Sequence, residues 1–271
     1  MTELTNIRNL LIDMDGVLYR GKTPLPGSGE LIEFLKKENI DYLLVTNNST
    51  STPAQFVARL EEMGVHVSEE SIVTSGVATA KYLRARSPNG TRVNVVGEEA
   101  LIKELQKRGF VMAGRDADYV VCGWDRGINF EKLKIACLAI RDGATFVGTN
   151  PDKTYPLEND IIPGAGSILA ALVAATDVEP IVVGKPEPIM FEQSLDMLGA
   201  KQQETAILGD RVETDLLGGY RAGIATMMVL TGISEKREAE EHQVPVDFVF
   251  DDLPSLIQAW EKALDGQPRA F

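Results

Sequence analysis

The chain is poor in the residues that most enzymes use for nucleophilic or metal chemistry. It has only two cysteines, Cys122 and Cys137, and only two histidines, His66 and His242. No C-x-x-C pair occurs, which excludes a disulfide framework and a cysteine-rich zinc site and fits a reducing compartment. Neither cysteine begins a C-x5-R loop, because the sixth residue on is Ile128 in one case and Gly143 in the other. His66 follows Gly64 in a turn-like stretch and His242 sits among glutamates, so both read as surface or turn residues rather than as a catalytic base. No apolar run approaches the ~20 residues of a membrane span, and the N-terminus lacks a signal-peptide layout. The expected compartment is the cytoplasm, with no membrane partner. Lys and Arg form no basic run, and the formal net charge is −13, so a nucleic-acid polymer is not an expected partner. Carboxylates must carry the chemistry.

What the chain does have is alternation. Short apolar runs (Leu10–Ile12, Tyr42–Val45, Ile181–Val183, Ala206–Leu208, Thr226–Leu230, Phe248–Phe250) suit strands buried on both faces. Helical periodicity appears over Gly29–Glu38, Pro53–Met63, Ile189–Leu198, Thr214–Ala222 and Pro254–Leu264. The middle of the chain repeats the pattern on its own, with runs at Val93–Val96, Tyr119–Cys122 and Thr145–Val147 and helical stretches near Glu98–Lys107, Phe130–Arg141 and Ser167–Ala175. About a hundred residues suffice for a small independent core. The expected fold is α/β, a Rossmann-like parallel-sheet core (residues 1–77 and 179–271) with a smaller α/β cap domain (78–178) inserted.

Four polar clusters each follow an apolar run: Asp13-Met14-Asp15-Gly16, Thr46-Asn47-Asn48-Ser49, Gly184-Lys185-Pro186, and Gly209-Asp210 through Asp215. In an open parallel sheet the ligand crevice lies at the carboxyl ends of the strands, so these clusters are expected to converge. Each suits phosphoryl transfer. Asp13 can attack phosphorus and form an acyl phosphate. Asp15 can protonate the departing alkoxide and then activate water. Thr46, with the amides of Asn47 and Asn48 after it, offers donors to phosphoryl oxygens, and Lys185 supplies positive charge. Asp210 and Asp215 complete a self-repelling carboxylate cluster, which a hard cation such as Mg²⁺ would settle. Taken singly, each cluster also reads as a turn or a helix cap.

The set resembles the haloacid dehalogenase superfamily, and more closely its p-nitrophenylphosphatase or NagD-like branch, which carries a large α/β cap between the second and third motifs. Gly123-Trp124-Asp125, Thr149-Asn150-Pro151-Asp152, Pro163-Gly164-Ala165-Gly166-Ser167 and Gly184-Lys185-Pro186 are similar to that branch. The resemblance implies Asp13 as nucleophile and Asp15 as general acid/base. It implies Asp13, the Asp15 carbonyl and Asp210 as Mg²⁺ ligands, with Asp215 supporting the metal shell, and Thr46, Asn47 and Lys185 as phosphate binders. The implied reaction is hydrolysis of a small phosphorylated metabolite: a sugar phosphate, a nucleoside monophosphate, a phosphoglycolate-like or an aryl phosphate. A phosphomutase uses the same residues, and a non-catalytic phosphate sensor on this fold is the rival from another class. Caps of this kind often mediate dimers, so a homodimer through the cap is one arrangement the resemblance allows. Asp125, Asn150 and Asp152, at strand ends of the inserted segment, are the residues expected to read the leaving group.

Two further signals need placing. Gly16 to Thr23 matches the letters of a P-loop, G-x-x-x-x-G-K-[ST], but Pro24, Pro26 and Gly27 follow where that loop needs a helix. It reads as a chance match. Ile168, Leu169, Leu172 and Val173 have helical spacing and are expected to face the cap core, and Trp124 reads more as packing than as recognition.

Overall fold

A computed structural model describes residues 3–156, 160–232, 234, 236–241 and 243–266. His242 therefore lies outside the described residues. The architecture is α/β. One sheet has six strands in the order Phe248–Phe250, Ala225–Val229, Thr205–Gly209, Asn9–Ile12, Asp41–Thr46, Ile72–Thr74. A second has five, in the order Ile181–Val182, Thr145–Gly148, Tyr119–Cys122, Arg92–Val96, Val111–Met112. All pairings of the second sheet are parallel, as are those that join Asp41–Thr46 through to Phe248–Phe250 in the first.

The chain forms two compact units, one of Met1–Val45, Phe56–Ile72 and Ser194–Phe271, the other of Thr46–Gln55 and Val73–Gln193. The boundaries differ from those read off the sequence. Ile181–Val182 is not a strand of the first sheet, as its apolar run suggested; it pairs with Val147–Gly148 of the second. Lys185 thus follows a strand of the second sheet, and three of the four polar clusters, not four, follow strands of the first.

In the first unit the central strand is buried along its whole length, as a strand covered on both faces must be. Leu10, Ile12, Leu31, Leu35, Leu208, Leu256 and Trp260 pack in one core, with Phe34 tilted against Trp260 at 5.7 Å between ring centroids. The helix Leu253–Asp265 opens with a capping box: the Asp252 side chain accepts from Ser255 N at 2.8 Å, and Pro254 occupies the first turn. In the second unit the helices Phe130–Arg141 and Ala165–Thr176 bury Ala136, Ile140, Ile168, Leu169 and Leu172 against Val96, Val120 and Phe146, with Val173 partly buried beside them. The expected cap-core face is therefore found.

The P-loop lookalike has no helix at its lysine. Tyr19–Arg20 and Thr23–Pro24 pair as a two-stranded antiparallel hairpin, and the next helix begins at Ser28. Both cysteines are free, and burial raises the Cys122 thiol. His66 is exposed, and its carbonyl accepts from Lys36 Nζ at 3.0 Å. Among the described residues no helix is long and apolar enough to cross a membrane.

Candidate active site

Strand order in the first sheet reverses between Asn9–Ile12 and Thr205–Gly209. From the central strand the chain moves one way to Asp41–Thr46 and later returns on the other side. Such a switch point opens a crevice at the carboxyl ends of two neighbouring parallel strands. Ile12 is in register with Leu208, and Asp13 N donates to Leu208 O at 2.9 Å, so Asp13 lies abreast of Gly209 with Asp210 next. Asp13, Asp210 and Asp215 each bring a carboxylate oxygen within 4.8 Å of the others, and all three are buried.

Asp215 reaches this cluster by a local irregularity. Residues Val212–Leu216 form a π turn where the periodicity predicted the start of an α-helix. Leu216 N bonds back five residues to Arg211 O at 3.3 Å, and the regular helix starts only at Leu217. The wider turn directs Asp215 at the strand end, where a Cβ on Gly209 would lie 2.3 Å from Asp215 Cβ. Arg211 N donates to Asp215 Oδ2 at 3.2 Å, and the Thr214 hydroxyl donates to it at 3.4 Å.

Asp210 is hemmed in by glycine. Gly16 has φ +87°, and a Cβ there would stand 2.4 Å from Asp210 Oδ2; at Gly232 the corresponding distance is 1.8 Å. Two full charges 4.8 Å apart repel by about 3.5 kcal/mol at an effective dielectric constant of ~20. A buried set of hard oxygen donors packed this closely fits a divalent cation such as Mg²⁺, which takes one or two carboxylates and completes its shell with water and phosphate. Gly16→Ala should therefore lower stability by about 1–3 kcal/mol, the left-handed backbone contributing ~1–2 of it, and should weaken Mg²⁺ binding. Denaturant melts and a Mg²⁺ titration followed by melting temperature check this. A variant unchanged in both would show that Gly16 does not set Asp210.

Asp15 is not a member of the side-chain cluster. The residue is exposed by area, yet enough protein surrounds its carboxyl for desolvation to raise it above the ordinary carboxylate range. The Gly21 amide and then Arg59, Arg211 and Arg20 oppose that rise. A carboxyl so placed keeps its proton to higher pH, which suits an acid. The turn that presents it is closed by Gly16 N donating to Tyr19 O at 2.8 Å, and Tyr19 is itself buried, its phenol raised by desolvation and by the nearby Asp15.

The remaining expected residues belong to the second unit. Thr46 ends its strand nearly buried, and its hydroxyl accepts from Asn48 N at 3.2 Å. Asn48 Oδ1 is occupied by Thr50, accepting from its N at 2.7 Å and its hydroxyl at 2.9 Å. Lys185 is 3% exposed. Asn47, Asn150, Asp152 and Lys185 are joined by hydrogen bonds, whereas Asp125 bonds within a turn of its own. Its Oδ2 pairs with Lys132 Nζ at 2.6 Å and its Oδ1 accepts from Gly127 N at 2.9 Å, the contacts of a residue that shapes its loop. Trp124 likewise packs: Nε1 donates to Pro163 O at 2.9 Å, and its ring stacks on Tyr155 at 4.3 Å.

Sequence reasoning missed Ser75, whose hydroxyl donates to Asn47 O at 2.6 Å. The signal was present in Ile72-Val73-Thr74, a short apolar strand ending in a Thr that caps the helix Ser75–Arg84 by accepting from Val77 N at 3.1 Å.

The chain is similar to known hydrolases and phosphatases over most of its length. A haloacid dehalogenase-like hydrolase family model matches residues 10–111, and a second, HAD-hydrolase-like, matches 182–256. An acid sugar phosphatase of Staphylococcus epidermidis is 40% identical over 253 residues, 93% of this chain and 97% of that protein. The solved p-nitrophenyl phosphatase from Archaeoglobus fulgidus superposes with a TM-score of 0.89 at 36% identity, covering 93% of this chain and 99% of that one. The 4-nitrophenylphosphatase from Thermotoga maritima gives 0.89 at 35% identity, covering 94% and 98%.

Proposed function

The chain belongs to the haloacid dehalogenase superfamily as a phosphatase of its NagD-like branch, and from that premise we propose that it hydrolyses small phosphate monoesters, sugar phosphates foremost, with Mg²⁺ and through an aspartyl-phosphate on Asp13. The observation that carries the proposal is the buried triad of Asp13, Asp210 and Asp215 at the switch point of a parallel sheet. The preference for sugar phosphates rests on the name of the staphylococcal relative.

In this reading Asp13, Asp210 and the Asp15 carbonyl would hold the ion, with Asp215 supporting its shell, and a bound ion would supply positive charge against the carboxylates and the phosphoryl oxygens. A carboxylate oxygen of Asp13 forms a bond to phosphorus as the bond from phosphorus to the leaving oxygen breaks. Asp15, protonated, gives its proton to that oxygen, so the alcohol departs neutral. The Asp15 carboxylate then takes a proton from water as the water attacks the aspartyl-phosphate, releasing inorganic phosphate and restoring Asp13. The Thr46 hydroxyl and the Lys185 ammonium are assigned to the phosphoryl oxygens.

Leaving groups test the assignment of Asp15. With Asp15→Asn, kcat for a sugar phosphate should fall by ~10²–10⁴-fold. The fall for p-nitrophenyl phosphate should be much smaller, because p-nitrophenolate leaves without a proton. Equal losses on both substrates would remove Asp15 from the leaving-group step. A panel of phosphate monoesters on the wild-type protein tests the substrate class, and sugar phosphates ranking below nucleoside monophosphates would redirect it.

A further inference from the structure

The second unit holds a partly buried network that this chemistry leaves without a role. The Asn47 side-chain nitrogen donates to both Asp152 carboxylate oxygens, at 3.2 and 3.1 Å, and to the Lys185 backbone carbonyl at 2.9 Å. An amide NH₂ has two hydrogens, and these partners use both. Turned over, the amide would set its oxygen against a carboxylate. Charge therefore decides the orientation, although it leaves Asn47 Oδ1 without a hydrogen-bond partner among the described residues.

The Asn47 carbonyl accepts from Asn150 Nδ2 at 2.8 Å, and Asn150 Oδ1 accepts from Asp152 N at 3.1 Å. Three loops are thereby tied together: those after Asp41–Thr46, Thr145–Gly148 and Ile181–Val182. They also meet without space to spare. Gly184 N donates to Thr149 O at 2.8 Å, and a Cβ on Gly184 would lie 2.5 Å from that oxygen and 2.7 Å from Asn47 Oδ1.

We propose that Asn47, Asn150 and Asp152 are positioning residues, which fix the backbone of Lys185 against the Thr46 loop so that ammonium and hydroxyl are presented together to one phosphoryl group. Their side chains do not read the leaving group, the role their place at strand ends had suggested, and Asn47 does not use its amide on phosphate. Lysine is a point charge on a flexible stem, so the place of its backbone decides where that charge can be held. The inference rests on the reading of Thr46 and Lys185 as phosphate binders.

The test compares Asp152→Ala, Asn150→Ala and Asp152→Asn with Lys185→Ala, alone and combined. Asp152→Ala and Asn150→Ala should lower kcat/KM by a common factor, ~10²-fold, for a sugar phosphate, a nucleoside monophosphate and p-nitrophenyl phosphate. Inorganic phosphate, which has no leaving group, should inhibit them at least ~10-fold more weakly. Asp152→Asn keeps an oxygen for Asn47 and should recover most of the loss. Adding Lys185→Ala to Asp152→Ala should cost little more than Lys185→Ala alone, because the two act as a unit.

A changed ranking of substrates with phosphate inhibition intact would overturn the proposal in favour of leaving-group recognition. Additive losses would overturn it by separating the network from Lys185. Should Asp152→Ala fail to fold, Asn150→Ala and Asp152→Asn carry the same comparison. If Lys185→Ala alone leaves phosphate inhibition unchanged, the failure lies in the phosphate-binder reading, whatever the network variants do.

Discussion

Asp13→Asn should reduce kcat about 10⁴-fold or more, the scale on which loss of a nucleophile silences an enzyme. The amide keeps the shape of the carboxylate, and the bond from the residue-13 backbone N–H to Leu208 O does not involve the side chain, so the strand end should stay as it is. What changes is chemistry: an amide oxygen is a far weaker nucleophile toward phosphorus, and it removes one negative donor from the triad. Two measurements separate these effects. Acid-quenched wild-type enzyme caught during turnover should carry one added phosphoryl group by intact-protein mass spectrometry, and the variant should carry none. More than a few percent of wild-type kcat in the variant, or a wild-type enzyme that turns over with no trace of the phosphorylated form, would defeat the aspartyl-phosphate route.

Stripping divalent ions should lower activity about 10²-fold or more, since charge stabilisation at the reacting group is among the largest catalytic effects. The buried triad makes the same prediction about stability. Bound at about 100 times its dissociation constant, Mg²⁺ should add about 2.7 kcal/mol to unfolding and raise the melting temperature. Ca²⁺ should also raise the melting temperature while restoring little activity, because its larger and looser shell misplaces nucleophile and phosphorus. Asp210→Asn should blunt both thermal shifts. Full activity after exhaustive chelation, or melting temperatures indifferent to Mg²⁺, would mean that the carboxylates serve some purpose other than metal binding.

Much of this is legible in the amino-acid sequence alone. Leu10–Ile12, Tyr42–Val45, Ala206–Leu208 and Thr226–Leu230 announce buried parallel strands, because a strand covered on both faces has no reason to alternate with polar residues. The acidic residues that directly follow such runs are at strand ends by construction. Asp13, Asp15, Asp210 and Asp215 could therefore be assigned to one chemistry from spacing and residue type, and the structure does cluster three of them.

The tertiary structure decided matters that local pattern does not encode. Ile181–Val182 is apolar in either sheet; only pairing with Thr145–Gly148 assigns it to the second, and Lys185 goes with it. Asn47 and Asp152 are 105 residues apart, and nothing in either neighbourhood says that the amide of one will be spent on the carboxylate of the other. Thr214–Ala222 has helical periodicity throughout, yet five of the residues around Asp215 wind as a π turn. Periodicity records which face of a segment is apolar, and residue type records what a side chain can do. Which distant loop will use up its hydrogen bonds depends on how strands pair across the sheet, and that is settled only when the whole chain packs.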